Sequence, residues 1–408
     1  MATRVLLHVG TPKTGTTYLQ DVCFLNRELL REHGILYPAE RFDAHFLAAL
    51  DLMRLPWGGL EEQAVGAWDR LAAEVRAFDG TAIVSHEILA RATPAQTRRA
   101  LASLGHGSGT EVHLVVSARD LVRQIPAEWQ ENIKHRTTTS YADFLAELQE
   151  PARDGTIASW FWAVQELPDI IARWRHDLPA ARVHLVTVPP PGSPRDLLWE
   201  RFVATFGLGG VPLALDTDRT NVSLGVPETY LLRQVNRRAN AEIEPEDYRE
   251  LVRELLAHRT LSARTDSPRL ALPPSAYGWV SSLTDAWVAE LDSQGYAVAG
   301  SLAELQGAEP TAAALAGYAD PDAPDLSAVV DAAATSIVAL VGNVRRWRAN
   351  EVRLHEEIAD LHRELAKARM SPLYRLKEAV YRILTGGRLG RRLLEAYYRA
   401  RGSSSRLA

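Results

Sequence analysis

A single lysine lies in a turn rich in Gly, Pro and Thr near the start of the chain. Residues 10–17 read GTPKTGTT and follow the apolar run 5–9 directly. Hydroxyl groups, free backbone amides and one ammonium are groups that hold an anion such as a phosphate or a sulfate. Only four of the 46 Lys and Arg residues are lysines, so a lysine here indicates a need for a compact point charge. The turn therefore predicts an anion-binding loop.

The elements around this turn predict how it would be held. The run 5–9 has the length and the β-branched content of a buried strand, and an amphipathic helix is expected from about Gly15. The start of a helix presents unpaired amides and the positive end of its dipole to an anion. The loop is not a Walker A motif, because Thr16 stands where that motif has its lysine and Lys13 comes three residues earlier.

Residues 11–20, TPKTGTTYLQ, resemble the 5′-phosphosulfate loop of sulfotransferases that use 3′-phosphoadenosine 5′-phosphosulfate (PAPS). The closest likeness is to bacterial sulfotransferases and to the heparan-sulfate sulfotransferase branch, and it covers about residues 1–300. The resemblance implies transfer of a sulfuryl group from PAPS to an acceptor hydroxyl, release of PAP, and no metal. It also implies that Lys13 is catalytic and that the loop binds the donor through these residues: Pro12, Lys13, Thr14, Gly15, Thr16 and Thr17.

A second stretch supports the resemblance. Residues 112–117 predict another buried strand, and Arg119 follows it. In this family a strand ends in an Arg, which binds the 3′-phosphate, and the planar guanidinium suits that role because it can bind two oxygens at once. The structural alternative is that Arg119 caps the strand end or forms an ion pair with Asp120.

One position departs from the family pattern. The family has a Ser eight residues after the Arg and an aromatic residue two positions later; here these positions hold Ala127 and Trp129. The hydroxyl contact to the 3′-phosphate is then missing or comes from another residue. The candidates for it are Ser117, Asn221 and Ser223.

The general base is expected on a neighbouring strand. Residues 81–85 predict a strand that ends at His86 and Glu87, and ligands of open α/β sheets lie beyond the carboxyl ends of strands. Some sulfotransferases carry a His base after the corresponding strand, whereas the heparan-sulfate branch has a Glu soon after the first helix, where this chain offers Glu40 and His45. His86 is favoured, with Glu87 and His45 next; a structural polar residue is the alternative for each.

Composition limits the function classes. The 408-residue chain is 46% apolar and 24% charged, which is ordinary for a globular protein. A single cysteine, Cys23, indicates a reducing compartment and excludes a thiolate metal cluster. No secretory signal and no membrane-spanning run is expected, and the Arg excess suggests a bacterial source. A cytoplasmic protein is predicted.

The charge is unevenly distributed. Residues 345–408 hold 16 Lys and Arg against 7 Asp and Glu, although the whole chain has a net charge of −5. An acidic body with a basic tail argues against nucleic-acid binding. It permits the tail to bind an anionic surface, which would place the protein at the inner face of the membrane.

The alternation of strands and helices predicts an α/β fold: a P-loop-like, mostly parallel sheet flanked by helices, with a C-terminal long helix or coiled coil. In residues 337–368 the apolar positions step by three and four, interrupted only by Glu351, which favours a homo-oligomer or a partner helix. The alternative is a helix packed on the protein's own surface. The predicted domains are a sulfotransferase-like body (1–307), a linker (308–326), a coiled-coil helix (327–370) and a basic amphipathic tail (371–408).

Two other functions compete with sulfuryl transfer. A P-loop kinase or NTPase would use the same strand, loop and helix, but it needs Mg²⁺ with an Asp ligand and the missing GK[ST] sequence. A non-catalytic coiled-coil scaffold with a decayed nucleotide fold would account for Ala127. Binding of PAP without Mg²⁺, binding of ATP with Mg²⁺, or no nucleotide binding would distinguish the three.

Overall fold

The computed structural model describes residues 2–216, 223–308, 310–370, 372–386 and 392. Its strands form one six-stranded sheet with the order β2-β3-β1-β4-β5-β6, and every neighbouring pair is parallel. The strands are β1 (Arg4–His8), β2 (Ile35–Leu36), β3 (Thr81–Ser85), β4 (Glu111–Ala118), β5 (Val183–Thr187) and β6 (Ala297–Ala299).

Helices connect the strands. The α-helices are α1 (Thr16–Leu25), α2 (Arg27–Glu32), α3 (Ala44–Met53), α4 (Leu60–Ala64), α5 (Ala67–Ala77), α6 (Pro94–Ser103), α7 (Leu121–Lys134), α8 (Tyr141–Gln149), α9 (Thr156–Gln165), α10 (Leu167–Arg175), α11 (Leu197–Phe206), α12 (Val226–Glu242), α13 (Pro245–Asp247), α14 (Tyr277–Asp292), α15 (Ala312–Ala316), α16 (Leu326–Met370) and α17 (Pro372–Thr385). A π-helix spans Tyr248–Thr260, and short 3₁₀ turns span Glu87–Arg91, Ala180–Arg182, Leu261–Ala263, Pro274–Ala276 and Leu302–Leu305.

The all-parallel sheet flanked by helices confirms the predicted α/β class, while the P-loop-like character of the sheet stays a prediction. Strand β1 lies between β3 and β4, in the interior of the sheet. From Val5 onwards its side chains are therefore buried on both faces of the sheet. Leu7 belongs to a core cluster on one face, and Leu6 packs with Leu19 and Phe202 on the other. Cys23 is fully buried in that second cluster, where burial raises the pKa of its thiol to about 12. It is therefore part of the core and not a reactive thiol.

Several element boundaries differ from those expected. Strands β2 and β6 were not predicted, since two or three residues are too short for a recognisable pattern. The amphipathic pattern that begins at about Gly15 predicts one helix as far as residue 32. The structure interrupts it at Asn26, whose side-chain amide donates to the carbonyls of Val22 and Ala214. The sequence pattern of residues 157–177 predicts one helix, but the structure divides it at Glu166. The division comes just before Pro168, which lies in the first turn of α10 and lacks an amide hydrogen.

The first compact unit comprises residues 1–336 and extends beyond the predicted boundary at 307. The segment expected as a linker is anchored by Asp322. This carboxylate accepts hydrogen bonds from the backbone amides of Tyr141 and Ala142 and forms an ion pair with the buried Arg233. The start of α16 also belongs to this unit, where Ala332 and Ser336 are buried.

The second unit comprises residues 337–408 and contains the rest of α16 and α17. The long helix bears out the expected helix over about 327–369. One helix of the described chain, Leu326–Arg369, is long and apolar enough to cross a membrane by length and composition, with a mean hydropathy of 1.6 in its most apolar window. This corrects the expectation that no segment reaches that limit. The basic tail beyond residue 386 lies outside the described residues, apart from residue 392.

Candidate active site at the carboxyl ends of three strands

Three adjacent strands bring the predicted site residues together. Strand β1 lies between β3 and β4. The loop with Lys13 follows β1, His86 follows β3, and Arg119 follows β4. Because all three strands are parallel, these residues share one edge of the sheet. The expectation that the strands are neighbours is confirmed.

The loop after β1 lies close to the residues that follow β3. Gly10 has a φ of 109°, and a Cβ atom placed there would lie 2.8 Å from the carbonyl oxygen of Glu87. The loop also joins β4, since Ser117 exchanges backbone hydrogen bonds with Gly10 and Thr11. Only glycine permits this conformation and this close approach without a steric clash.

The loop leaves a set of backbone amides available. Among the described residues no hydrogen-bond acceptor is assigned to the amides of 13–17, and no side chain caps the start of α1 at Gly15. The hydroxyl of Thr14 donates to the carbonyl of Thr11, and the side-chain amide of Gln124 donates to the carbonyl of Pro12. These bonds hold the loop while its amides remain free to bind an anion.

A buried histidine at the end of β1 joins the strands on which the loop rests. His8, the last residue of β1, is fully buried, and its ring nitrogens lie 2.8 Å from Ser85 Oγ and 2.9 Å from Ser117 Oγ. Burial lowers the pKa of His8 to about 4. His8 is therefore neutral and links the ends of the three central strands.

The ammonium of Lys13 is held by helix α7. Lys13 Nζ lies 2.5 Å from Glu131 Oε2, and both side chains are about one-fifth exposed. Three more basic groups lie within 4 Å of the same carboxylate, namely Lys134 at 3.8 Å, His135 at 3.3 Å and Arg253 at 3.9 Å. One carboxylate therefore faces three Lys and Arg cations, and the cluster keeps a positive charge.

The pKa values of this cluster follow from burial and from charge. Burial opposes ionisation of Glu131, but the hydrogen bond from His135 and the charges of Lys13 and Lys134 outweigh it and hold its pKa well below the ordinary value. Burial lowers the pKa of Lys134 to about 8, although the charge of Glu131 opposes this effect.

A second carboxylate of α7, that of Glu128, has a raised pKa, whereas the pKa of Glu131 is lowered. Glu128 is 5% exposed, and its Oε2 has no hydrogen-bond partner among the described residues. Burial raises the pKa of Glu128 to about 7, while the charge of Lys13 opposes the rise. A carboxylate with a pKa near the working pH is suited to accept and return a proton.

His86 and Glu87 both lie at the edge of the site, and their hydrogen bonds and pKa values decide which protonation state each adopts. Nδ1 of His86 accepts a hydrogen bond from the backbone amide of Ile88, so the neutral ring carries its hydrogen on Nε2. Burial lowers the pKa of His86. Burial raises the pKa of Glu87, but the charge of His86 and the hydrogen bond from Gln20 reverse the effect and leave the pKa below its ordinary value.

The two candidates from residues 40–45 differ in their surroundings. His45 is buried: its Nδ1 accepts a hydrogen bond from the amide of Ser85, and its Nε2 lies 3.1 Å from the carbonyl of Pro38. Burial lowers its pKa to about 4. Both ring nitrogens are used by the backbone, which favours the structural alternative for this residue. Glu40 is exposed.

Arg119 has no hydrogen-bonded or ion-paired carboxylate among the described residues. Asp120, the expected alternative partner, caps α7 through the amide of Arg123 and forms an ion pair with the Arg123 guanidinium. Among the described residues Arg119 has no hydrogen bond or ion pair, and its Nε is buried. Burial and the neighbouring charge of Arg123 lower the pKa of Arg119 to about 10, which leaves it charged at neutral pH. A cation in this state is available to an external anion.

The other residues predicted to contact the sulfuryl donor differ in where the structure places them. Ser117 is fully buried, and its hydroxyl is shared with His8, Thr14 and the carbonyl of Gly10. Trp129 is also fully buried and donates to the carbonyl of Thr139, so it packs in the core. Ser223 is exposed, and Asn221 lies outside the described residues.

Sequence reasoning missed the carboxylates of α7. Glu128 and Glu131 are three residues apart and therefore share one face of the helix. That spacing, in the helix that follows Arg119, was the available signal. Their proximity to Lys13 was not visible, because it depends on how α7 packs against the loop after β1.

Comparisons with known proteins do not assign the chain to a family. No family model matches it, and neither a curated protein nor a solved structure does. The geometry of the site is therefore the basis for a functional proposal.

Proposed function

We propose that the protein is a sulfotransferase that moves a sulfuryl group from PAPS to an acceptor hydroxyl and releases PAP. One observation carries the proposal: the sheet edge holds two separate groups without an anionic partner among the described residues, the amides of 13–17 and the guanidinium of Arg119. PAPS has a phosphosulfate at one end and a 3′-phosphate at the other, and it needs two such groups. The loop would act as a P-loop-like phosphosulfate site.

The residues of the loop would bind the leaving phosphate. When bound, the donor supplies a sulfuryl group attached to a phosphate that gains negative charge as it departs. Amide hydrogens of 13–17 and the ammonium of Lys13 are groups that stabilise charge where it develops. The hydroxyl of Thr17, which is partly exposed, would add a further donor. Arg119 would hold the 3′-phosphate through a charge-assisted hydrogen bond.

Glu128 is the general base that the geometry favours over His86. The Nδ1 lone pair of His86 is taken by the Ile88 amide, and its Nε2 carries a hydrogen, so the neutral ring can donate but not accept. Glu128 has a free buried oxygen and a pKa raised to about 7 by burial. Glu128 would accept the proton of the acceptor hydroxyl, and His86 would donate a hydrogen bond to the acceptor.

Nucleotide binding tests the proposal. Calorimetric titration with PAP is expected to show binding in the presence of a chelator, because the anion sites are amides and side chains of the protein. Incubation with labelled PAPS and fractions of a cell extract would then follow the label to an acceptor. Binding of ATP that requires Mg²⁺ would favour a kinase or NTPase instead. If neither nucleotide binds, the non-catalytic coiled-coil scaffold is the remaining hypothesis.

A further inference from the structure

The second unit of the protein exposes a long apolar stripe. In the first part of helix α16 Ala332 and Ser336 are buried, whereas Ile337 is 61% exposed and Leu361 is 58% exposed. Five further apolar side chains of the stripe are about half exposed: Val344, Trp347, Leu354, Ile358 and Leu365. Val338, Val341 and Val352 are also exposed but lie off the stripe. Water-exposed stripes of this length are usually covered by a partner.

The stripe follows a heptad pattern without a break in register. The first core positions, a, are Ile337, Val344, Glu351, Ile358 and Leu365. The second core positions, d, are Leu340, Trp347, Leu354, Leu361 and Ala368. From Arg345 onwards charged residues fill most of the positions between them, so this part of the helix presents a narrow seam on a polar surface. The preceding positions 338, 339 and 341–343 hold Val, Ala, Val, Gly and Asn, so the start of the segment is apolar on other faces as well.

The residue types at the core favour two strands. Three of the five a positions hold β-branched residues, and three of the five d positions hold Leu. β-Branched residues at a combined with Leu at d favour a parallel dimer over trimers and tetramers. Glu351 would place two carboxylates side by side at one a position, and a single polar a position fixes register at a cost in stability.

The charges flanking the core decide the orientation. The g positions 357 and 364 are Glu, and the e positions 362 and 369 are His and Arg. In a parallel pair each g position faces the e position five residues later on the other helix, which joins Glu357 to His362 and Glu364 to Arg369. In an antiparallel pair g faces g and e faces e, so acidic residues would face acidic residues. The charge pattern is complementary only in the parallel orientation.

We propose that residues 337–369 bind the same segment of a second copy of this chain as a parallel, in-register, two-stranded coiled coil. The occupant of the stripe is therefore another molecule of the same protein. This inference does not depend on the proposed sulfotransferase activity, because no residue of the candidate active site takes part in it.

Cross-linking of the full chain tests the orientation and the register. Cys23, the only cysteine, is fully buried, so a new exposed cysteine reports without background. With oxidised glutathione as oxidant, Val344→Cys at an a position is expected to form a disulfide-linked dimer. Ala349→Cys, at an f position on the opposite face of the same turn, is the matched control and is expected to remain unlinked. Equal linkage of the two variants would overturn the proposal.

Sedimentation equilibrium of the full chain tests the stripe itself. Wild type is expected to be a dimer at micromolar concentration, and the double substitution Leu354→Arg with Leu361→Arg is expected to be a monomer. These side chains are exposed in the single chain, so the first unit should stay folded. Val352→Arg is a matched control, because Val352 is an exposed apolar residue at a b position, and it should leave the dimer intact. A monomeric or trimeric wild type would overturn the proposal. Binding of wild type to lipid vesicles that the double substitution abolishes would also overturn it, because a membrane would then be the occupant of the stripe.

Discussion

Lys13 Nζ lies 2.5 Å from Glu131 Oε2, so the ammonium of the loop after β1 is paired with the helix after β4. The pair joins two elements that are more than one hundred residues apart in the sequence. Glu128, one turn earlier on the same helix, has a buried oxygen without a partner among the described residues. One helix therefore places beside the loop an ionised carboxylate and a second carboxylate whose pKa burial raises to about 7.

Replacement of Lys13 is expected to abolish most of the sulfuryl transfer. Lys13→Ala should lower the transfer rate from labelled PAPS by about 10²–10³-fold, the effect of a lost donor that stabilises a leaving oxyanion. Lys13→Arg should not restore the rate, because a planar fork does not replace a compact ammonium. Lys367→Ala, at an exposed position of α16, is the control. An unchanged rate for Lys13→Ala would contradict the assigned role.

Replacement of Arg119 is expected to weaken binding of the 3′-phosphate alone. Arg119→Ala should raise the Kd for PAP by roughly 10–100-fold, as expected from about 1.5–3 kcal/mol for a charged hydrogen bond. The Kd for adenosine 5′-phosphosulfate, which lacks the 3′-phosphate, should change little. Arg99→Ala, which removes an exposed pair with Asp69, serves as the control. Equal losses for both ligands would indicate a structural role for Arg119.

The pH dependence of the reaction distinguishes Glu128 from His86. Burial raises the pKa of Glu128 to about 7, so the rate should rise with pH through that value as the carboxylate ionises. In Glu128→Gln the rate should fall and this limb of the profile should disappear. The assignment fails if Glu128→Gln keeps the limb and His86→Asn loses it.

The same carboxylate has a predictable effect on stability. Its pKa is higher in the folded protein than in the unfolded chain, so the folded state holds the proton more tightly and stability falls as pH rises from about 4.5 past 7. Glu128→Gln should therefore raise the free energy of unfolding by roughly 2–3 kcal/mol at about pH 8 and leave it unchanged at about pH 4. Urea denaturation at the two pH values measures both quantities. A gain of equal size at both would show that charge is not the cause.

Acid should destabilise the centre of the sheet through His8. Burial lowers its pKa to about 4, so the unfolded chain binds a proton that the folded protein excludes. The neutral ring contributes stability that is lost as pH falls from the ordinary histidine value near 6.5 towards 4, up to about 3 kcal/mol. The urea midpoint of wild type should fall over this range, and His8→Gln should reduce that dependence. Exposed His33→Gln should not; an identical slope in all three proteins would refute the assignment.

Gly10 is expected to tolerate no side chain. Gly10→Ala would place a Cβ atom 2.8 Å from the Glu87 carbonyl oxygen at a φ of 109°, so it should both destabilise the protein and weaken PAP binding. Gly107 has a φ of 78°, and a Cβ atom placed there would have no neighbouring atom within 4 Å. Gly107→Ala should therefore carry only the conformational cost of about 1–2 kcal/mol. Equal melting temperatures for the two variants would contradict the close contact.

The sequence alone determined the parts of this protein that rest on local pattern. Apolar runs with β-branched residues predicted strands β1, β3 and β4, and Gly and Pro marked the loop with Lys13. Steps of three and four predicted the long helix from about residue 327. These features are visible because the periodicity of a strand or helix, the backbone freedom of Gly and the fixed φ angle of Pro are local properties of the chain.

Only the tertiary structure decided which polar residues meet. The order of the strands placed β1 between β3 and β4 and so gathered Lys13, His86 and Arg119 at one edge. The packing of α7 buried Glu128 and left Glu131 beside Lys13, although both are ordinary helical glutamates in the sequence. The proton affinity of a carboxylate depends on its burial and on nearby charges, and both are set by residues distant in the chain.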